Sequence, residues 1–170
     1  MGLADAIDGT LFKVMHHFAQ SPKNQPVIEA VDAFTSKRHG AIPAAKVRAV
    51  AMKAARDQFV KSGNKNPSAD QVASQAYWGL ALAAEEHPFK IAEDQRGTAK
   101  SIHYFMSGAI ASGVASHIPL LPEGAKRWIG LSVSHAIGVL KEVADYVKGT
   151  GFDRRDIKTD DAGSKSAFGG

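Results

Sequence analysis

The sequence contains no cysteine among its 170 residues. Disulfide bonds, thiolate zinc sites and cysteine nucleophiles are therefore excluded. Three familiar motifs are also missing, namely the Gly-rich phosphate loop, the Gly-x-Ser-x-Gly elbow and the His-Glu-x-x-His zinc motif. The residues that remain for chemistry are mainly histidines and carboxylates.

Net charge is low, at +4, and no motif for nucleic-acid binding accompanies it. Such a charge permits an anionic partner but does not require one, so nucleic acid is not favoured. With 22% charged and 44% hydrophobic residues, the composition is typical of a folded protein. A chain of 170 residues is most simply one domain, spanning 1–170, with a core of its own.

The N-terminal stretch lacks the features of a secretory signal peptide. Asp5 and Asp8 occupy the place of the basic region, and no long apolar segment follows. We expect the protein to be made without such a signal. It then stays in the cytoplasm, or it reaches a bacterial periplasm or envelope by a signal-independent route.

The pattern of apolar residues predicts helices throughout, because alternating β-branched residues are scarce and Gly, Pro and Asn recur at helix-length intervals. We predict an all-α fold of six or seven helices around a Gly/Ala/Ser-rich antiparallel hairpin. The predicted parts are N-terminal helices within 1–99 (about 3–19, 27–36, 43–61 and 68–87), the hairpin with a short acidic helix in 100–163, and a frayed tail, 164–170.

Charged residues are absent from 104–122, a segment that is close to membrane-spanning length. Its small residues, His117 and Pro119 make a membrane span a weak candidate. Gly and Ser allow a close approach between helices. The segment therefore favours a tightly packed core hairpin, with peripheral membrane contact as the alternative.

The second helix of the hairpin, predicted over 128–147, becomes polar toward its end. Steps of three and four residues place one set on a shared face: Trp128, Leu131, His135, Gly138, Glu142 and Asp145. His103 lies near the start of the partner helix. Antiparallel packing should bring His103 close to Glu142.

Two further carboxylates, Asp156 and Asp160, are four residues apart on the last helix, so they share a face and repel one another. A divalent metal ion would offset this repulsion. A protonated carboxyl in an acid–base pair, or a plain counter-ion such as Lys141, would also do so. In a purely structural interpretation, Asp153 caps the helix, Asp160 and Asp161 face water, and His103 and His135 are core histidines bonded to backbone carbonyls.

The pattern from 103 to 163 resembles the YfiM-like bacterial lipoproteins and, more distantly, the VanZ-like membrane proteins. It comprises His103-Tyr-Phe, Lys141-Glu142-x-x-Asp145 and Gly149-x-Gly151-Phe152-x-x-x-Asp156-Ile157-x-x-Asp160-x-x-Gly163. The resemblance covers about residues 100–170 and implies that His103, Glu142, Asp145, Asp156 and Asp160 form a polar centre in a protein of the bacterial envelope. The sequence lacks the lipoprotein cysteine, so membrane anchoring is not implied.

The leading functional hypothesis is an envelope-targeting hydrolase, used as a secreted antibacterial effector. Its substrate is lipid-linked or peptidoglycan, and a cognate immunity protein is the expected partner. The hypothesis assigns His103, Glu142 and Asp156 to catalysis, and it adds Asp145 and Asp160 to those three as ligands of a divalent metal. One alternative is a metal-free, glycosidase-like acid–base enzyme. The other is a non-enzymatic helical binding or membrane-perturbing protein.

Overall fold

A computed structural model of the protein describes residues 13, 17, 21–93 and 98–169. Six α-helices lie in this part of the chain, after a short 3-10 turn at Pro22–Asn24. They are α1 (Gln25–Thr35), α2 (Ala44–Lys61), α3 (Ala69–Glu86), α4 (Thr98–Ser116), α5 (Glu123–Val147) and α6 (Arg154–Ala167). The prediction of an all-α fold is confirmed. The helix predicted over 3–19 lies almost wholly outside the described residues.

Helices α1, α2 and α3 form the apolar half of the molecule. Val27, Val47 and Leu80 are fully buried, each from a different helix. The start of α3 is fixed by a capping box, in which the hydroxyl of Ser68 accepts from the backbone N–H of Gln71 and the Gln71 side chain accepts from the N–H of Ser68. Ser68 is therefore the N-cap residue of α3.

Helix α4 lies at the centre and packs against α3, α5 and α6. Its aromatic residue Phe105 is fully buried and makes an edge-to-face contact with Tyr77 of α3 at 6.1 Å between ring centroids. Among the described residues, no helix is both long enough and apolar enough to span a membrane.

Glycines allow the close packing of α4 with its neighbours. A Cβ placed on Gly163 of α6 would lie 2.7 Å from the backbone carbonyl carbon of Tyr104 and would overlap its oxygen. A Cβ on Gly130 of α5 would likewise overlap the carbonyl oxygen of Ala111. The backbones of α4, α5 and α6 thus approach at positions where a larger residue cannot fit.

The last helix differs from the prediction in length. α6 contains 14 residues and continues to Ala167, so most of the expected frayed tail is helical. Ser164 and Ser166 are buried, and the carbonyl of Ser166 accepts a hydrogen bond of 2.5 Å from Arg48. The sequence predicted a frayed tail because its residues are small and polar. In the structure, these small residues allow α6 to pack against α4.

Candidate functional site

A small cavity of about 130 Å³ lies where α4, α5 and α6 meet. Apolar side chains from α4 and α5 form most of its wall, and five polar side chains point toward it. These polar residues are His103 and Ser107 from α4, Ser134 and Lys141 from α5, and Asp160 from α6. Three helices thus each contribute polar groups to one shared cavity.

His103 and Asp160 form the central pair of the cavity. Nδ1 of His103 lies 3.6 Å from Oδ1 of Asp160, which is within ion-pair distance but longer than a hydrogen bond. The Asp160 side chain is 7% exposed and that of His103 is 24% exposed. The carboxylate is therefore held inside the protein while the imidazole reaches solvent.

Hydroxyl groups hold Asp160 and its helix in place. Oγ of Ser107 lies 2.8 Å from Oδ1 of Asp160 and 2.7 Å from the carbonyl oxygen of His103, so its single hydrogen serves one acceptor at a time. On the buried side, Ser134 and Ser164 share a hydrogen bond of 2.7 Å. Ser134 also donates to the carbonyl oxygen of Ser107 at 3.1 Å. These bonds link all three helices.

The absence of a side chain at Gly138 gives Asp160 its space. A Cβ at this position would lie 2.8 Å from Oδ2 of Asp160, closer than Cβ atoms normally approach an oxygen. The glycine therefore allows the carboxylate of α6 to reach the surface of α5. The sequence interpretation placed Gly138 on the polar face of its helix, and the structure gives the reason for a glycine there.

Lys141 supplies the positive charge at the cavity. Its Nζ lies 2.8 Å from Oδ2 of Asp145 and 3.6 Å from Oε1 of Glu142. Burial alone would lower the pKa of Lys141, but its hydrogen bond with Asp145 and the charges of Asp145 and Glu142 outweigh burial and raise that pKa. Lys141 is therefore cationic at neutral pH and cannot act as a base.

Glu142 is buried, but it is engaged away from the cavity. Its Oε2 accepts a hydrogen bond of 2.8 Å from the backbone N–H of Asp153, the N-cap residue of α6. Asp153 in turn accepts from the backbone N–H of Arg155 at 2.9 Å. Glu142 thus fastens the turn containing Gly149 and Gly151 to the end of α5.

The remaining predicted residues are separated from the central pair. Asp145 pairs with Lys141, and Asp156 lies buried in the first turn of α6, outside the cavity lining. Trp128 and His135, predicted to share one helix face with Gly138, are exposed, whereas Gly138 is buried. Of the five predicted metal ligands, the structure brings His103 and Asp160 together and engages Glu142 and Asp145 elsewhere.

The divalent-metal centre stays a prediction. Among the described residues, no three His, Asp or Glu side chains form a group that could hold a metal ion. His103 and Asp160 alone give two ligands, fewer than the three protein ligands usual at catalytic zinc sites. The described residues around His103 and Asp160 therefore fit a metal ion poorly.

A second His–Asp pair lies on the surface and provides a natural control. Nδ1 of His135 lies 2.8 Å from Oδ1 of Asp161, and these side chains are 51% and 38% exposed. The two pairs join the same two residue types, but only the His103–Asp160 pair lines the cavity.

Sequence reasoning did not identify Ser107 and Ser134 as cavity residues, and it considered Lys141 only as a counter-ion. A weak signal was present, since uncharged helix faces rich in serine and glycine allow close packing with internal hydrogen bonds. The pairing of α4 with α6 gave no signal of its own, because it depends on contacts between residues more than fifty positions apart.

No protein-family model, curated protein or solved structure matches this chain. The resemblance to the YfiM-like and VanZ-like families therefore stays a prediction.

Proposed function

We propose that the chain is a hydrolase that acts on a component of the bacterial envelope, with the His103–Asp160 pair as its catalytic centre. One observation carries this proposal. A buried carboxylate lies against a partly exposed imidazole in a cavity that also contains a cationic lysine. Histidine with an orienting carboxylate is the common arrangement for proton transfer near neutral pH.

Nδ1 of His103 faces Asp160, which leaves Nε2 available to a water molecule or to the substrate. We assign His103 as the general base that takes a proton from the attacking water. It later returns that proton to the leaving group as the general acid. Asp160 orients the ring and stabilises the imidazolium form, and Ser107 keeps the carboxylate in position.

Lys141 supports charge stabilisation, because its ammonium group lines the same cavity and remains protonated. It would stabilise negative charge that develops on the substrate during hydrolysis. A cavity of about 130 Å³ accommodates only a small group. The scissile acyl or phosphoryl group would enter it, and the rest of an envelope molecule would lie outside.

The envelope substrate and the role as a secreted antibacterial effector rest on the resemblance of residues 100–170 to envelope-associated families. A cognate immunity protein would accompany such an effector. The geometry gives less support to Glu142 as a glycosidase acid, because its carboxylate already binds a backbone N–H and lies near Lys141. A membrane-perturbing role for the hairpin also gains little, because Phe105 and Ala109 of α4 are buried.

The test is product release from isolated envelope fractions. The purified protein is incubated separately with peptidoglycan sacculi and with extracted lipid-linked precursors, and soluble products are identified by liquid chromatography and mass spectrometry. We expect release from one fraction, lowered about 10²–10⁴-fold by His103→Ala or Asp160→Asn. The control His135→Ala should release the same products at the rate of the unmodified protein.

Two additional measurements test the glycosidase hypothesis and the metal-dependent hypothesis. Glu142→Gln should lower the melting temperature but leave turnover per folded molecule unchanged, whereas a glycosidase acid at Glu142 would lose activity. A chelator should not affect the rate, and loss of activity that is restored by a divalent metal would support the metal-dependent form. Equal release by His103→Ala and the unmodified protein, or no product from either fraction, would contradict the proposal.

A further inference from the structure

A larger groove lies beside the candidate catalytic cavity. Its volume is about 840 Å³, within the range of about 300–1,000 Å³ that is usual for ligand pockets. Helices α2, α3, α4 and α5 all contribute to its wall. Two of the wall residues, Ile110 of α4 and Ile137 of α5, also line the cavity. The groove and the cavity are therefore neighbours that share part of one wall.

The wall of the groove is mainly apolar. Along α4 it extends from Ile110 to Ile118, eight residues or about 12 Å further on. Among the wall residues that the structure describes, Lys23 is the one lysine, arginine or carboxylate. Besides the two shared isoleucines, the larger apolar side chains are Phe59, Trp78, Val114, Ile118 and Val133.

Several polar side chains of the groove are already bonded to the protein. Nε2 of Gln75 donates to the carbonyl oxygen of Lys23 at 2.5 Å, and Oγ of Ser116 donates to that of Gly113 at 2.7 Å. The side chain of Gln71 belongs to the capping box of α3. A sugar or a peptide in the groove would lose hydrogen bonds with water and replace few of them, which is costly. A hydrocarbon chain has no such bonds to lose.

We propose that the groove holds the hydrocarbon chain of a lipid-linked substrate, while the bond to be hydrolysed lies in the cavity at His103 and Asp160. Ile110 and Ile137 would contact the part of the chain next to its head group. Burial of the chain against the apolar wall would supply binding energy. This inference rests on the proposed function and selects a lipid-linked substrate over peptidoglycan, because a glycan strand carries hydroxyl and amide groups along its whole length.

Trp78 reports directly on an occupant, because it lies in the wall of the groove and the sequence contains two tryptophans. Trp128→Phe removes the other one. The probe is 11-bromo-1-undecanol, an uncharged chain whose bromine quenches tryptophan emission on contact. We expect this probe to quench Trp78, and 1-undecanol, which lacks bromine, to leave the emission unquenched. Shorter alcohols should displace the probe, with each added CH₂ group strengthening their binding about fourfold.

Two glycines provide a matched pair of variants in the same Trp128→Phe protein. A Cβ at Gly113 meets Oγ of Ser74 at 3.4 Å and nothing closer, so the side chain of Gly113→Leu enters the groove. We expect this variant to bind 1-undecanol at least about tenfold more weakly, since leucine takes the place of about two CH₂ groups. Gly124→Leu, where a Cβ meets nothing within 4 Å, should leave binding unchanged. Equal binding by the two variants would overturn the assignment of the groove.

This binding is measured without hydrolysis, so the inference and the proposed function fail separately. Normal quenching of Trp78 with no product from either envelope fraction would contradict the catalytic centre but support the groove as a chain-binding site. Product from peptidoglycan sacculi alone would overturn the inference and leave the hydrolase in place. Absence of quenching would also overturn it, and this is the result expected if another part of the chain or a second copy fills the groove.

Discussion

The two halves of the molecule are held together by different kinds of contact. In α1–α3, buried side chains such as Val27, Val47 and Leu80 form an ordinary apolar core. In α4–α6, the seam between the helices contains Ser134, Ser164 and the carboxylate of Asp160, all buried and hydrogen-bonded. The first half is stabilised mainly by burying apolar area, and the second by close backbone approach and paired polar groups.

This difference explains where a catalytic centre can form. An apolar core tolerates changes of similar volume, but it contains no groups that transfer protons. The polar seam must keep every buried group paired, so it holds its side chains in fixed positions. Such a region is less tolerant of substitution and better suited to chemistry.

The largest effect is expected at the closest contact of the seam. Gly163→Ala places a methyl group against the backbone of Tyr104, which cannot move without shifting α4. We expect a loss of about 4 kcal/mol in the free energy of unfolding, above the usual range for overpacking. Urea denaturation measures it. Gly124→Ala is the control, because a Cβ there meets nothing within 4 Å, and it should be neutral or slightly stabilising.

The apolar half should lose stability through truncation instead. Leu80→Ala removes a fully buried side chain and should cost about 3 kcal/mol, because a cavity is left behind. Val60→Ala, at a position that is 49% exposed, should change the free energy of unfolding by less than about 0.5 kcal/mol. Similar losses at both positions would show that burial of apolar side chains is not what stabilises this half.

A smaller effect on the free energy of unfolding is expected at alkaline pH, and it comes from Lys141 in the half formed by α4–α6. The pKa of Lys141 is higher in the folded protein than its unfolded value of about 10.4. Its contribution to the free energy of unfolding is therefore complete below the unfolded pKa and is lost as pH rises through the folded pKa. Lys141→Met should therefore lower the free energy of unfolding by about 1 kcal/mol at neutral pH. In strongly alkaline solution, the stability of this variant should decline less than that of the unmodified protein.

Thermal melts of the unmodified protein and of Lys141→Met, recorded from pH 7 upward, test this pH dependence of stability. Tyr77 loses its proton in the same range, and burial raises its pKa, so both proteins should share the decline from Tyr77. Only the difference between their curves reports Lys141. Parallel curves across the range would contradict the role given to the lysine.

Local patterns in the sequence were enough to predict much of the fold. The helix predicted over 43–61 agrees with α2, and the N-cap at Asp153 was offered from residue type and spacing. These features depend on neighbours a few residues apart. The length of α6 was missed because its buried serines are stabilised by other helices.

The candidate site was predictable only in part, because it depends on how three helices are aligned. The sequence indicated that the start of α4 and the end of α5 meet, and His103 and Lys141 do line one cavity. It did not indicate that Asp160 would pair with His103 while Glu142 bound the backbone of Asp153. That choice depends on the space that Gly138 leaves for the Asp160 carboxylate and on the close backbone approach at Gly163.

The most direct test of the catalytic centre is a double-mutant cycle on hydrolytic rate, with His103→Ala, Asp160→Asn and the two combined. If Asp160 acts through His103, the combined variant should be no slower than His103→Ala alone, within about twofold. Rate losses that multiply in the combined variant would show that the two residues act independently, and would contradict the account of a single catalytic pair.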